Sequence, residues 1–369
     1  MINFDPKLSA EAVYLDHAAT SPLRSTSRDA LVHTTDLVGN PAALHGAGRI
    51  ARALLEDARE ELAALLGSHP DEVVFTSGGS EADAVAVLGS AAHWASARPG
   101  IVISAFEHPA VQSAQDVLGS RVAVAPVDED GHLVGEDLHR RLAEHPATDV
   151  GLVSVMMVNN EIGTIQPVKE LAEAAHRAGA WFHTDAVQAF GQLPLSFADL
   201  DADLLSVSAH KVGGPVGVGA LLVRRGIQLP PYGLGGRQEG GIRSGTQSVL
   251  LAVAFAAAAR EMSEKQATES ARLASLRHQF VTAALQIPGA RINGTAPLSP
   301  AIVNVSFDGA SAEDLVFLLD QRKIWCSTGS ACRAGVPGPS EVLLAMGRDD
   351  RAARESVRFS FGWTTTRSG

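Results

Sequence analysis

Lys211 in "SVSAHKVGG" (206–214) stands among Ser208, His210 and glycines, directly after a run that reads as a strand. A lysine so placed is either a surface charge or an amine confined enough to shed its proton and form a Schiff base. Asp185 in "FHTDAVQAFG" (182–191) lies beyond another short apolar run, with Gln188 three residues on. A carboxylate there can cap a helix, ligate a metal or pair with a protonated ring nitrogen. Upstream, "TSGGSE" (76–81) brings Gly78, Gly79 and Ser80 to a helix start, where backbone N–H groups can hold an anion. Amine, carboxylate and anion cradle are the parts that pyridoxal 5'-phosphate (PLP) requires. Each is generic alone; together and in this order they point to a PLP site.

The chain's two cysteines, Cys326 and Cys332, lie six positions apart in the Gly/Ser/Pro-rich stretch "CSTGSACRAGVPGPS" (326–340). Two cysteines in 369 residues do not make a secreted disulfide framework. A bridge between them would clamp a loop whose glycines permit movement. Cys326 ends the strand-like "KIWC" and reads as packing, while Cys332 on the loop is left open between metal ligand, linker residue and nucleophile. His183-x-Asp185 and Asp16-His17 offer metal ligands, but no HExxH or paired CxxC accompanies them, so no metal is expected. "GPVGVG" (214–219) precedes a strand instead of opening a helix, which argues against a dinucleotide site.

These residues need a framework. Short apolar runs recur at 73–76, 101–104, 122–125, 150–158, 180–183, 203–208 and 218–223. Helical spacing falls between several of them, clearest at 167–178, with Gly179 just beyond; residues 45–67 carry a further helix closed by Gly67. The alternation predicts an α/β domain with a largely parallel sheet. A long helix over about 247–286 ends that pattern. A smaller α/β unit follows: a strand at "AIVNVSF", a helix at 311–322, the cysteine loop, a helix from Pro339 to Met346, and "SVRFSFG". A net charge of −11 gives no basic footprint for nucleic acid or an anionic membrane. The longest apolar stretch, 249–259, is too short to span a bilayer, and the N-terminus lacks a leader pattern. A cytoplasmic protein is expected.

Across nearly its whole length the chain resembles the NifS/IscS-type cysteine desulfurases, a class-V aminotransferase branch. The likeness runs in order through "YLDHAATSP", "GNPAALHGAGR", "FTSGGSEAD", "EHPAV", "VNNEIGTIQP", "FHTDAVQAFGQLPL", "SVSAHKVGGPVGVGAL", "EGGIRSGTQ", "CSTGSAC", "PSEVLLAMG" and "RFSFG". It implies the aspartate aminotransferase-like fold (PLP-dependent transferase fold type I). A large domain, 15–257, would carry a mostly parallel seven-stranded sheet. Residues 1–14 and 258–369 would form a small domain bearing the cysteine loop, about 326–338.

The resemblance also implies roles. Lys211 would hold PLP in a Schiff base, Asp185 would pair with the ring nitrogen, Gln188 would bond the ring oxygen, and His108 would lie over the ring. Gly79, Ser80, Ser208 and His210 would cradle the phosphate, and Thr246 would reach the phosphate of a neighbouring subunit, making a homodimer with shared sites. Arg358 would take the carboxylate of the substrate, L-cysteine, and Asn160 would assist beside it. Cys332 would attack the substrate sulfur and pass it to an acceptor protein, such as an iron–sulfur scaffold or thiolation protein. A selenocysteine lyase, or a desulfurase serving one pathway, is the alternative on the same fold. The sequence departs from the usual pattern at His17, where asparagine is frequent, and at Ala82 and Ala84 in the cradle helix.

Overall fold

The computed structural model describes residues 12–133, 135, 138, 140, 142, 149–329 and 338–367. Its centre is a seven-stranded sheet built from β2 (Val73–Thr76), β3 (Gly100–Ser104), β4 (Val122–Ala125), β5 (Val150–Ser154), β6 (Trp181–Asp185), β7 (Leu204–Ser208) and β8 (Gly219–Val223). The order across the sheet is β2-β8-β7-β6-β5-β3-β4. Every pairing is parallel except the two made by β8. All five residues of β3, β5, β7 and β8 are buried, as a sheet covered on both faces demands. The expected run at 150–158 stops pairing as a strand at Ser154; beyond it the chain peels off toward Asn159.

The helix Gly46–Leu66 covers one face with Ala51, Leu55, Ala58, Leu62 and Leu66, and Gly67 closes it at φ 62°. That left-handed conformation costs glycine nothing and strains other residues. Burying Leu62 contributes about 2 kcal/mol relative to exposure. Ile50, on the same helix, points outward and is 58% exposed.

β1 (Val13–Tyr14) pairs in parallel with β11 (Ile324–Trp325), and β9 (Ala290–Asn293), β10 (Ile302–Phe307) and β12 (Ser356–Ser360) form a separate antiparallel sheet. The helix Val249–Ala284 joins this unit to the large sheet without a break. Val249, Phe255 and Met262 enter the large core, whereas Leu273, Leu276 and Phe280 enter a second core with Val303, Val357 and Phe359. Two-residue alternation in β12 sends Val357 and Phe359 into that core and Arg358 to the opposite face. The helix expected from Pro339 begins instead at Glu341, because Ser340 caps it by accepting from Leu343 N. No helix among the described residues is long and apolar enough to cross a membrane.

Candidate active site

In a parallel sheet, ligands collect beyond the carboxyl ends of the strands. Here those ends surround a cavity of about 370 Å³. Asp185 closes β6, Ser208 closes β7, and Lys211 follows β7 in the short turn Ala209–Lys211. His108 caps the helix Pro109–Gln112 after β3 through Nδ1, which accepts from Ala110 N at 3.1 Å. Gly79 and Ser80 start the helix Gly79–His93 after β2. Gln188, Asn160, His210 and Arg358 complete the candidate residues that line the cavity.

Two candidates stand apart. Thr246 is exposed and does not line the cavity. Its loop is pinned by Glu239, whose buried carboxylate takes two bonds from Arg59 at 2.8 Å and one from Phe75 N at 2.7 Å. Cys332 lies outside the described residues. Cys326 follows β11, is half-buried against the second core, and burial pushes its thiol up to about 12. A thiol so held stays protonated and unreactive at neutral pH.

The electrostatics are those of a confined site. Burial, followed by the nearby Arg358 charge, lowers Lys211 to about 8, against the opposing pull of Asp185 and Asp16. Its Nζ donates to Ala18 O at 2.5 Å and Ala19 O at 2.7 Å. Burial raises the Asp185 pKa, opposed by the charge of His108 and by Val187 N, which donates to Oδ1 at 2.8 Å. Burial lowers His108, and Lys211 adds to that. His210 falls to about 4 by burial and the same lysine. Gln188 Nε2 donates to Ala18 O at 2.8 Å.

Whether PLP fits can be asked of the polar atoms. Ser208 Oγ is buried with no hydrogen-bond partner among the described residues, and so is Arg358 Nε. Buried polar atoms rarely stay unpaired, so each calls for a ligand. Ser208 Oγ adjoins the free N–H groups of the helix starting at Gly79, where a phosphate binds well. A Cβ added at Gly79 would stand 2.7 Å from Val187 Cγ2, so only glycine lets this turn come so close. An anion cradle, a buried carboxylate and a lysine with a depressed pKa share one cavity: the donor set suits PLP.

Glu107 and Asn159 escaped the sequence reading as supporting residues, and His183 and His17 entered it only as possible metal ligands. Glu107 Oε1 accepts from Ser104 Oγ and from Met156 N (2.7 Å), and burial raises its pKa to about 8. Asn159 Oδ1 accepts from Glu161 N and Ile162 N at 2.9 and 3.0 Å, fixing the turn that presents Asn160. His183 is buried between Ser154 Oγ (2.8 Å) and Ser206 Oγ (3.0 Å), so both ring nitrogens are engaged. His17 is likewise tied to Ser21 and Thr364. The "EH" and "NNE" stretches were visible signals, but buried polar residues announce no partner in sequence.

Comparison with known proteins places this architecture. Residues 13–369 match the aminotransferase class-V family, and the chain belongs to it. It is 43% identical over 364 residues to an IscS-like cysteine desulfurase of Mycobacterium tuberculosis, covering 95% of this chain and 92% of that one. A NifS-like protein of known structure superposes with a TM-score of 0.89 at 33% identity, covering 97% of this chain and 95% of its own. A structure described as SspA in complex with cysteine gives a TM-score of 0.83 at 30% identity, covering 95% and 98%. The expected α/β architecture with its mostly parallel seven-stranded sheet is thus the fold found.

Proposed function

We propose that the protein is a PLP-dependent cysteine desulfurase, converting L-cysteine to L-alanine and taking the sulfur onto Cys332 as a persulfide. The observation that carries this is one cavity holding Lys211, Asp185, His108 and Arg358, in a chain whose class-V relatives are cysteine desulfurases. When bound, PLP supplies an electron sink for the substrate's α-carbon.

This chain's residues do the rest. Lys211 holds the cofactor; at about 8, its pKa lets the amine exist partly neutral at working pH and take or return a proton at the α-carbon. With PLP bound, Asp185 would keep its ring nitrogen protonated, and Gln188 and His108 would help to hold the ring. Gly79, Ser80, Ser208 and His210 hold the phosphate, together with Thr246 of a second copy in a homodimer. Arg358 binds the substrate carboxylate with Asn160 beside it. Val38, Leu44, Ile50 and Leu234 are apolar and well exposed, the kind of surface that a second copy would cover. Residues 15–257 act as the large domain, and 1–14 with 258–369 as the small one.

In the sulfur step the Cys332 thiolate attacks the substrate sulfur. An S–S bond forms, the C–S bond breaks, its electron pair stays on carbon, and a proton there completes alanine. Cysteine plus enzyme thiol gives alanine plus enzyme persulfide, which an acceptor protein discharges in the cytoplasm. The test is incubation of the PLP-loaded protein with L-cysteine and a thiol reductant. Equal sulfide and alanine, lost in Cys332→Ser, support the reading; a cofactor-loaded protein that turns over no cysteine overturns it.

A further inference from the structure

The two cationic side chains of the cavity are tied to one short stretch of chain. Lys211 donates to the carbonyls of Ala18 and Ala19. Arg358 Nη2 donates to Asp16 Oδ1 at 2.7 Å, and Nη1 donates to Asn160 O at 2.9 Å. The Arg358 side chain is 5% exposed and that of Asp16 22%. Asp16 is itself fixed: its backbone bridges Ser360, and its carbonyl accepts from Ala19 N at 3.0 Å.

A guanidinium offers a carboxylate two parallel donors, and Nε with Nη2 form one such fork. In Arg358 that fork is half used. Asp16 takes Nη2 through one oxygen, while the buried Nε has no partner among the described residues. A free carboxylate reaching this fork gains the idle Nε–H and contests Nη2 with Asp16. An arginine kept for binding alone would sit with the whole fork open; this one carries a resident anion that leaves one donor unpaired.

We propose that Asp16 is a built-in carboxylate stand-in on Arg358, which the α-carboxylate of an incoming amino acid displaces, so that its charge sets substrate affinity. This rests on the reading that Arg358 receives the substrate carboxylate. The resident pair keeps the charge of a buried guanidinium compensated between turnovers, at a cost in affinity for every amino acid that binds. It also selects against ligands with a second negative group, because the displaced Asp16 carboxylate stays nearby.

The test uses the PLP-loaded protein and L-alanine, with binding read from the change in cofactor absorbance, so no turnover is needed. In Asp16→Asn the dissociation constant for L-alanine falls roughly tenfold, the scale of one charge-assisted hydrogen bond. The KM for L-cysteine falls with it, and the gain vanishes in an Arg358→Gln background. Asp16→Ser, read in the same way, carries the test if the amide variant does not load cofactor. Unchanged binding overturns the inference. So does weaker binding, which makes Asp16 an orienting partner of Arg358, and so does a gain that survives Arg358→Gln. A wild-type protein that binds no α-amino acid refutes the reading of Arg358 along with this inference; one that binds while the variants show no gain refutes the inference alone.

Discussion

The two walls of the cavity are built differently. On the large-sheet side, Asp185, Ser208 and Lys211 stand at or just beyond the ends of buried parallel strands, and Ser208 Oγ has no protein partner among the described residues. On the small-sheet side, Arg358 rises from an antiparallel strand and two of its nitrogens are already bonded, to Asp16 and to the carbonyl of Asn160. At Ser208 the first wall suits a group that arrives once and stays, because its hydroxyl has no partner among the described residues to give up. The second suits a group that comes and goes every turnover, because a resident partner softens each departure. On the proposed reading, the strand ends would hold the cofactor and an exchangeable ion pair would hold the substrate.

Breaking the first wall at its amine has the largest effect. Lys211→Ala lowers the rate of alanine formation at least about a thousandfold, measured in single turnover, since covalent tethering and proton transfer are both lost. Next comes the second wall. Arg358→Gln raises KM for L-cysteine about a hundredfold with a smaller change in kcat, as loss of a buried charge-assisted pair implies. An equal loss in both walls' functions from either variant would erase the distinction between them.

Ser208→Ala sharpens the comparison at smaller scale. Cofactor affinity, measured by equilibrium dialysis, weakens roughly tenfold, while thermal stability hardly changes because the hydroxyl has no partner among the described residues to lose. The smallest effect on activity belongs to Glu107→Gln, which instead changes the pH dependence of stability. Burial raises Glu107 from 4.5 to about 8, so the folded chain holds this proton over a range where the unfolded chain has released it. Its contribution is therefore full below about pH 4.5 and declines as pH rises toward 8. Urea unfolding at pH 5 and pH 8 is expected to show that decline in the wild type. In Glu107→Gln the decline shrinks, by on the order of a few kcal/mol.

Much of the first wall was legible in sequence, for a physical reason. A residue at the end of a buried apolar run must sit at a strand terminus, so Asp185 and Lys211 could be placed from local pattern alone. The second wall was less legible. "SVRFSFG" announces a strand, but no local signal aims Arg358 at the cavity; that assignment came from resemblance. Its partner Asp16 lies 342 residues away in sequence, joined to it only by folding. The β1–β11 pair, which sets Val13 and Tyr14 against Ile324 and Trp325, was also invisible, since two-residue strands carry no periodicity. Asp83 and Glu107, buried near enough to Asp185 to feel its charge, carry no mark of that burial in the local sequence. Ile50 falls at helical spacing with Leu54, Ala58 and Leu62 and is nevertheless exposed, because a second apolar face on a helix looks the same as a core face until packing chooses.

The central claim is that this cavity frees sulfur from cysteine and that Cys332 receives it. One measurement bears on it most directly: a single turnover of PLP-loaded protein with L-cysteine and no reductant, followed by peptide mass spectrometry. The account predicts one equivalent of alanine per active site and a mass gain of one sulfur atom on the peptide containing Cys332. Alanine without that gain, or the gain on the Cys326 peptide alone, would contradict it.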